Sequence, residues 1–187
     1  MGMKEEYRQL AFDKLNKANE INEPEIAREE YEALLSAPYQ AVRIIAAENL
    51  GEIKSSESVH LLAILLNDRC PHVSEESASS LAKIRTPEAL KKLAEFLFED
   101  TLDRPHHITN AISFFGNKGF SILKEATQST STNIRYHALR GLGSTGRDEG
   151  RQILENFIGN QSKTSFGGTL STAAKHGLKT LNRIQNN

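Results

Sequence analysis

From Val42 the apolar residues fall at Ala46, Leu50 and Ile53, in steps of four, four and three. That spacing puts them on one side of an α-helix and leaves polar residues on the other. A gapless shift of 31 residues repeats the stripe, bringing Val73, Ala78, Leu81 and Ile84 onto Val42, Ala47, Leu50 and Ile53. The register persists beyond that helix, where Leu62, Leu65 and Leu66 meet Leu93, Phe96 and Leu97. A third copy sets Ala111, Ile112, Phe115 and Gly116 on Ala46, Ala47, Leu50 and Gly51, and a fourth runs from Ile134 to Gly143. The copy spacings are 31, 34 and 27, the variation that insertions in loops produce.

Each copy therefore predicts a pair of helices. The first carries the stripe with small residues inside it (Ala46, Ala47, Ala78, Ala138), and the second follows as in Val59, Leu62, Leu65 and Leu66. Thr86-Pro87-Glu88 has the makings of a helix start, with a hydroxyl cap, a proline in the first turn and an acid favoured by the helix dipole. Gly51, Gly116 and Gly143 are expected to end the first helices. A pair cannot bury its stripe alone, so the pairs must stack. The predicted fold is all-α, a right-handed α-α superhelix of about five helix pairs plus a closing helix. Residues 1–187 are expected to form a single domain, with a capping pair at 1–36, core repeats at 37–158 and a C-terminal cap at 159–187. Within the caps, Lys4 to Lys17 and Glu23 to Leu35 read as the first pair, and Thr169 to Ile184 as the last helix.

The pattern Val42-Arg43-x-x-Ala46-Ala47-x-x-Leu50-Gly51-x-Ile53, with Asp68 closing the following helix, resembles the short HEAT-like repeat of the phycobilisome-lyase type. Ile134-Arg135 to Leu142-Gly143 matches it nearly as well, whereas Ser74 and Ile108 stand where the other two copies lack the arginine. The resemblance implies a protein-binding solenoid whose first helices line the concave, binding face. Similarity to the phycobilin lyases rests on the repeat alone.

Composition adds little to this and excludes several classes. Aromatic residues make up 6% and Trp is absent, so aliphatic side chains and Phe must fill the core. Cys70 has no second cysteine to pair with, which suits a reducing, cytoplasmic setting. The longest apolar run, Leu61 to Leu66, is far short of the roughly 20 residues that span a membrane. No basic and apolar leader opens the chain, and Glu6 replaces the Ser or Thr that myristoylation favours after Met1-Gly2. Charge is distributed unevenly. Residues 1–100 hold 12 Lys and Arg against 19 Asp and Glu, and residues 101–187 hold 11 against 5.

Half a turn from the stripe lie the side chains expected to meet a partner. They are Glu48 and Glu52 in copy one, with Ile44; His72, Glu75 and Glu76 in copy two, with Ser79 and Lys83; His106, Thr109 and Asn110 in copy three, with Ser113; and Tyr136, His137 and Arg140 in copy four. Tyr136 and Arg140 are the residue types that most often anchor interfaces. The alternative is a merely solvated face. His106, His107 and His137 invite a metal reading, but no His-Glu dipeptides recur at helical spacing, and His107 falls on the core position of Val42. Cys70-Pro71-His72 lacks zinc-spaced partners and reads as a small buried cysteine. Gly143 to Arg147 resembles a phosphate loop only in composition. No nucleophile elbow is present, and no cofactor is implied. The expected function is a non-enzymatic scaffold for a protein or peptide. The alternative is a nucleic-acid binder using Arg135, Arg140, Arg147, Arg151, Lys163, Lys175, Lys179 and Arg183.

Overall fold

The computed structural model describes residues 9–10, 12–14, 16–18, 20–99 and 106–186. The first member of the expected N-terminal pair, Lys4 to Lys17, lies in part outside them. Contacts divide the chain into two compact units, residues 1–89 and 90–187. Among the described residues the regular structure is helical, apart from one isolated antiparallel bridge between Lys163 and Thr169.

The first unit contains α1 (Pro24–Leu34), α2 (Gln40–Ile53), α3 (Ser56–Leu65) and α4 (Pro71–Ile84). The helix α5 (Pro87–Phe98) carries the boundary between the units, at Ala89 and Leu90. The predicted stripe is the core here, with Val42, Ala46, Ala47, Leu50, Val73, Ala78 and Leu81 all fully buried. It lies where α2 and α4 pack side by side, with α3 behind them. Starts and stops follow side-chain chemistry. Ser55 caps α3 by accepting the Ser58 N–H, and Thr86 caps α5 by accepting the Ala89 N–H. The stops of α2 and α4 fall to Lys54 and Arg85, both in the left-handed region at φ 57° and 59°.

Glycine therefore does not end α2. Gly51 sits inside the helix against Ser80 of α4, and a Cβ there would lie 2.8 Å from the Ser80 Cβ. Its role is close packing between neighbouring first helices.

The second unit contains α6 (His106–Ser113), α7 (Gly116–Ala126), α8 (Thr132–Ser144), α9 (Asp148–Glu155) and α10 (Leu170–Gln185). The helices α6, α8 and α10 form one row, with α7 and α9 packed behind. The row is closed by backbone-to-backbone contact. A Cβ at Gly143 of α8 would fall 2.6 Å from the Cα of Gly177 in α10. Gly143 thus packs rather than turns, and the turn residue is Gly146, at φ 68°. Gly116 does mark a turn, at φ 59°. Copy three is shorter than predicted, because α6 stops at Ser113 and Phe115 precedes α7 instead of continuing the stripe. The closing helix stands where expected, with Thr169 capping it through the Thr172 N–H.

Candidate partner-binding face

The outward positions of the first unit are acidic. Glu48, Glu52, His72 and Glu75 are exposed, as are Ser79 and Lys83, while Glu76 and Ile44 are half-buried. The positive charge of Lys83 is met by Glu52 and Glu76, each at 3.9 Å, and the His72 Nδ1 lies 3.8 Å from Glu75.

Beneath this face Arg43 is consumed by structure. Its Nε and Nη2 donate to the two carboxylate oxygens of Asp68, both at 2.8 Å, and its Nη1 donates to the Ala37 carbonyl at 2.7 Å. Burial pushes the Asp68 carboxyl up, but the Arg43 hydrogen bonds, the Cys70 N–H and the charges of Arg43 and Arg69 outweigh it. They hold the group below the ordinary carboxylate value. The Asp68 hydrogen bond in turn raises the Arg43 guanidinium, against a smaller opposing effect of burial. Cys70 is half-buried at the start of α4, not part of the core, and its thiol donates to Gln40 at 2.8 Å.

Behind the face, α1, α3 and the start of α5 border an open cleft of about 340 Å³ lined by Arg28, Glu32, Ser56, Glu57, His60, Leu61 and Glu88. Arg28 is held there by Glu25, Glu29 and Glu32.

The row of the second unit has the opposite character. Between His106 and Asn186 its acidic residues are Glu125, Asp148, Glu149 and Glu155, all on α7 and α9. The helices α6, α8 and α10 have no acidic residue; they carry Arg135, Arg140, Lys175, Lys179 and Arg183 together with four histidines. Among the described residues none of those five cations has a carboxylate partner. Arg135 reaches only the Thr132 hydroxyl at 3.0 Å, and the Arg140 Nη2 lies 3.5 Å from the His176 Nε2. Arg140 and His176 thus join α8 to α10, His106 of α6 acts on His176 through its charge, and Lys179 and Arg183 extend the exposed stripe of α10. Burial lowers His176 from its ordinary value, and the positive charges of Arg140, His106, Lys179 and Arg183 lower it further.

Three expected outward residues of this unit are buried. Thr109 is 1% exposed because α8 closes on it at Gly141, where a Cβ would lie 2.6 Å from the Thr109 Cβ. Ser113 is buried as well. His137 is 6% exposed, beneath a loop that the helical pattern does not reveal. Ser165, in the segment between α9 and α10, exchanges two hydrogen bonds with Asn133, at 2.9 and 3.0 Å. That fixes Phe166 with its ring 5.2 Å from Tyr136 and 5.6 Å from His137. Neither ring nitrogen of His137 has a hydrogen-bond partner. Burial, then Arg140, His106 and His107, push its pKa down to about 4. His106 and Asn110 are exposed as expected, and Tyr136 and Arg140 are half-exposed. Sequence reasoning missed Phe166; the signal was an aromatic beside Gly167-Gly168 in an otherwise polar stretch.

No group of three His, Cys, Asp or Glu side chains among the described residues has the geometry to hold a metal ion. None of the described helices is long and apolar enough to cross a membrane.

Comparison with solved structures finds helical repeat proteins. One is the complex of CpcE and CpcF of phycocyanin lyase from Nostoc sp. PCC7120, 16% identical over 98% of this chain and 73% of that one, with a TM-score of 0.48. Another is a designed armadillo repeat protein in complex with the peptide (KR)4, 16% identical over 97% and 95%, TM-score 0.41. A third is human deoxyhypusine hydroxylase in complex with glycerol, 12% identical over 83% and 73%, TM-score 0.36. No curated protein matches the chain in sequence. Residues 30–113 match the model of the HEAT-repeat family.

Proposed function

We propose that the protein is a non-enzymatic scaffold that holds a protein or peptide on the exposed face of its first helices. The observation that carries this reading is the row α6, α8 and α10, where Arg140, Lys175, Lys179 and Arg183 stand without carboxylate partners beside the aromatic pair Tyr136 and Phe166. Unpaired cations gain little for a folded monomer, while a partner that supplies the missing anions gains both attraction and orientation. The stripe behind the row is packed and buried, so these side chains can meet a partner without disturbing the fold.

The test is capture of partners from cell extract by the full chain, compared with a Tyr136→Ala/Arg140→Ala variant of unchanged helicity. Loss of the captured protein from the variant is expected, because truncating such anchors often costs about 2 kcal/mol or more. Capture that survives this variant and fails on changes to α7 or α9 overturns the reading.

The same acid-free row gives the nucleic-acid reading its one supporting observation. Two arginines expected to take part in such a grip are engaged elsewhere. Arg147 is hydrogen-bonded to Asn117 and Glu149, and Arg151 to Asn182 and Gln185. Submicromolar, salt-sensitive binding of DNA or RNA near physiological ionic strength would put this reading first.

A further inference from the structure

We propose, resting on the scaffold reading above, that the row α6, α8 and α10 takes an acidic peptide segment carrying apolar side chains. Its carboxylates would lie over Arg140, Lys179 and Arg183, and an apolar group would meet Tyr136 and Phe166.

The chemistry of the occupant follows from what the row has and lacks. Its positive charge is uncompensated: α6, α8 and α10 have no acidic residue, while the acids of this part of the chain are confined to the helices behind. On α10 the exposed residues Lys175, Lys179 and Arg183 follow at steps of four, so they form one stripe with about 6 Å between successive turns. His176 on the same face touches Arg140 of the neighbouring helix, which continues the stripe across the gap between α10 and α8.

The aromatic end selects against a bare polyanion. Tyr136 lies one turn before Arg140 on α8, and Phe166 stays 41% exposed while its ring meets Tyr136 edge to face. An exposed phenyl ring on a face that also carries unpaired cations is matched by a ligand that alternates carboxylates with apolar groups. Nucleic-acid binding draws on several phosphate contacts at once, about six to ten where it depends steeply on salt, roughly double the three exposed cations of the row and the half-exposed Arg140 together. The rings of Tyr136 and Phe166 also pack on each other, so they do not form an open platform for bases. Burial is the main cause of the lowered values of His137 and His176, and the neighbouring charges of Arg140 and His106 act in the same direction.

The test uses the full chain and a short fluorescein-labelled peptide of Glu residues interspersed with Leu, followed by fluorescence anisotropy. Controls are the same peptide with Gln in place of Glu and a single-stranded oligo-dT of equal length. Saturable binding of the Glu/Leu peptide is expected. It should weaken at least about tenfold, the effect of 1.4 kcal/mol, in a Lys179→Glu/Arg183→Glu variant. A Glu125→Gln variant, at an exposed position of α7 behind the row, should leave it within about twofold. No binding of the Glu/Leu peptide, equal binding of the Gln peptide, tighter binding of oligo-dT, or indifference to the charge reversal each overturns the proposal. If the peptide fails while Tyr136→Ala/Arg140→Ala still abolishes partner capture, the scaffold reading stands and only the acidic partner is wrong. If capture is indifferent to that variant, the scaffold reading itself has failed.

Discussion

Arg43 and Arg135 occupy the same place in the repeat, 92 residues apart, and meet opposite fates. Asp68 closes on Arg43 with two hydrogen bonds, and its own carboxylate also accepts the Cys70 N–H. The residue 92 beyond Asp68 is Asn160, which accepts the Ser162 N–H in the same way but brings no charge. Arg135 is left with a neutral hydroxyl and an unpartnered Nε. One repeat position thus serves two ends. In the first unit the cation is spent on joining a helix to a loop, and the face above it is acidic. In the second unit the cations of α6, α8 and α10 have no carboxylate partner among the described residues, and the face above them is basic. A shared packing stripe fixes neither outcome, because the partner of the arginine arrives from a loop 25 residues away.

The largest expected effect tests what the two regions share. Leu81→Asp and Leu139→Asp each place a charge at a fully buried point of the stripe, one in each unit. Each should cost more than about 4 kcal/mol and lower the thermal midpoint sharply. An unchanged midpoint in either would mean that the stripe is not the core of that unit.

Next comes the difference itself. Asp68→Ala leaves the Arg43 charge buried and unpaired, with an expected loss of about 3–5 kcal/mol in urea unfolding. Asn160→Ala removes only a neutral turn contact and should cost about 1 kcal/mol. Equal losses would erase the contrast drawn between the two sites.

Acid should separate the units too. His137 is held near pKa 4 in the fold and titrates near 6.5 unfolded, so the fold resists its protonation. Stability should be unaffected above pH 6.5 and fall as pH drops towards 4, by about 3 kcal/mol in all, at roughly 1.4 kcal/mol per unit. Asp68 works the other way. Its folded value is depressed, so its contribution is complete above the unfolded value near 3.9 and is lost only as pH falls through the lower folded value. Amide exchange between pH 6.5 and 4 should therefore accelerate in α8 before α2, and His137→Phe should remove most of that early change.

The smallest effect is the most pointed. Asn160→Asp offers Arg135 the carboxylate that Arg43 already has. A gain of up to about 1 kcal/mol is expected, read as a small rise in the urea midpoint. A loss of stability would show that the two loops differ in more than charge.

The sequence displayed the repeating stripe, the hydroxyl cap at Thr86, the closing helix from Thr169, and the acidic first-unit face of Glu48, Glu52 and Glu75, because each of these is local or periodic. It also displayed the excess of basic residues late in the chain, though not their gathering on α6, α8 and α10. Thr109 and His137 were misplaced for physical reasons that periodicity cannot carry. One is covered because Gly141 lets a neighbouring helix approach, the other because a loop folds back and sets Phe166 upon it. Gly51 and Gly143 were misread as stops because a glycine that ends a helix and one that admits a neighbour look alike in one dimension. The Arg43–Asp68 pair was visible as a motif, but its geometry and its absence around Arg135 required the fold.

The contact between Gly143 and Gly177 has a consequence for how such a surface changes over time. Where two backbones touch, the distance between α8 and α10 is set by the main chain alone, with no side chain available to adjust it. Substitutions at Arg140, Lys175, Lys179 or Arg183 can then alter what the surface attracts without moving the helices that carry it, so specificity varies over a fixed ruling. A single added methyl group at Gly143 does the reverse, keeping every charge and shifting the spacing between them.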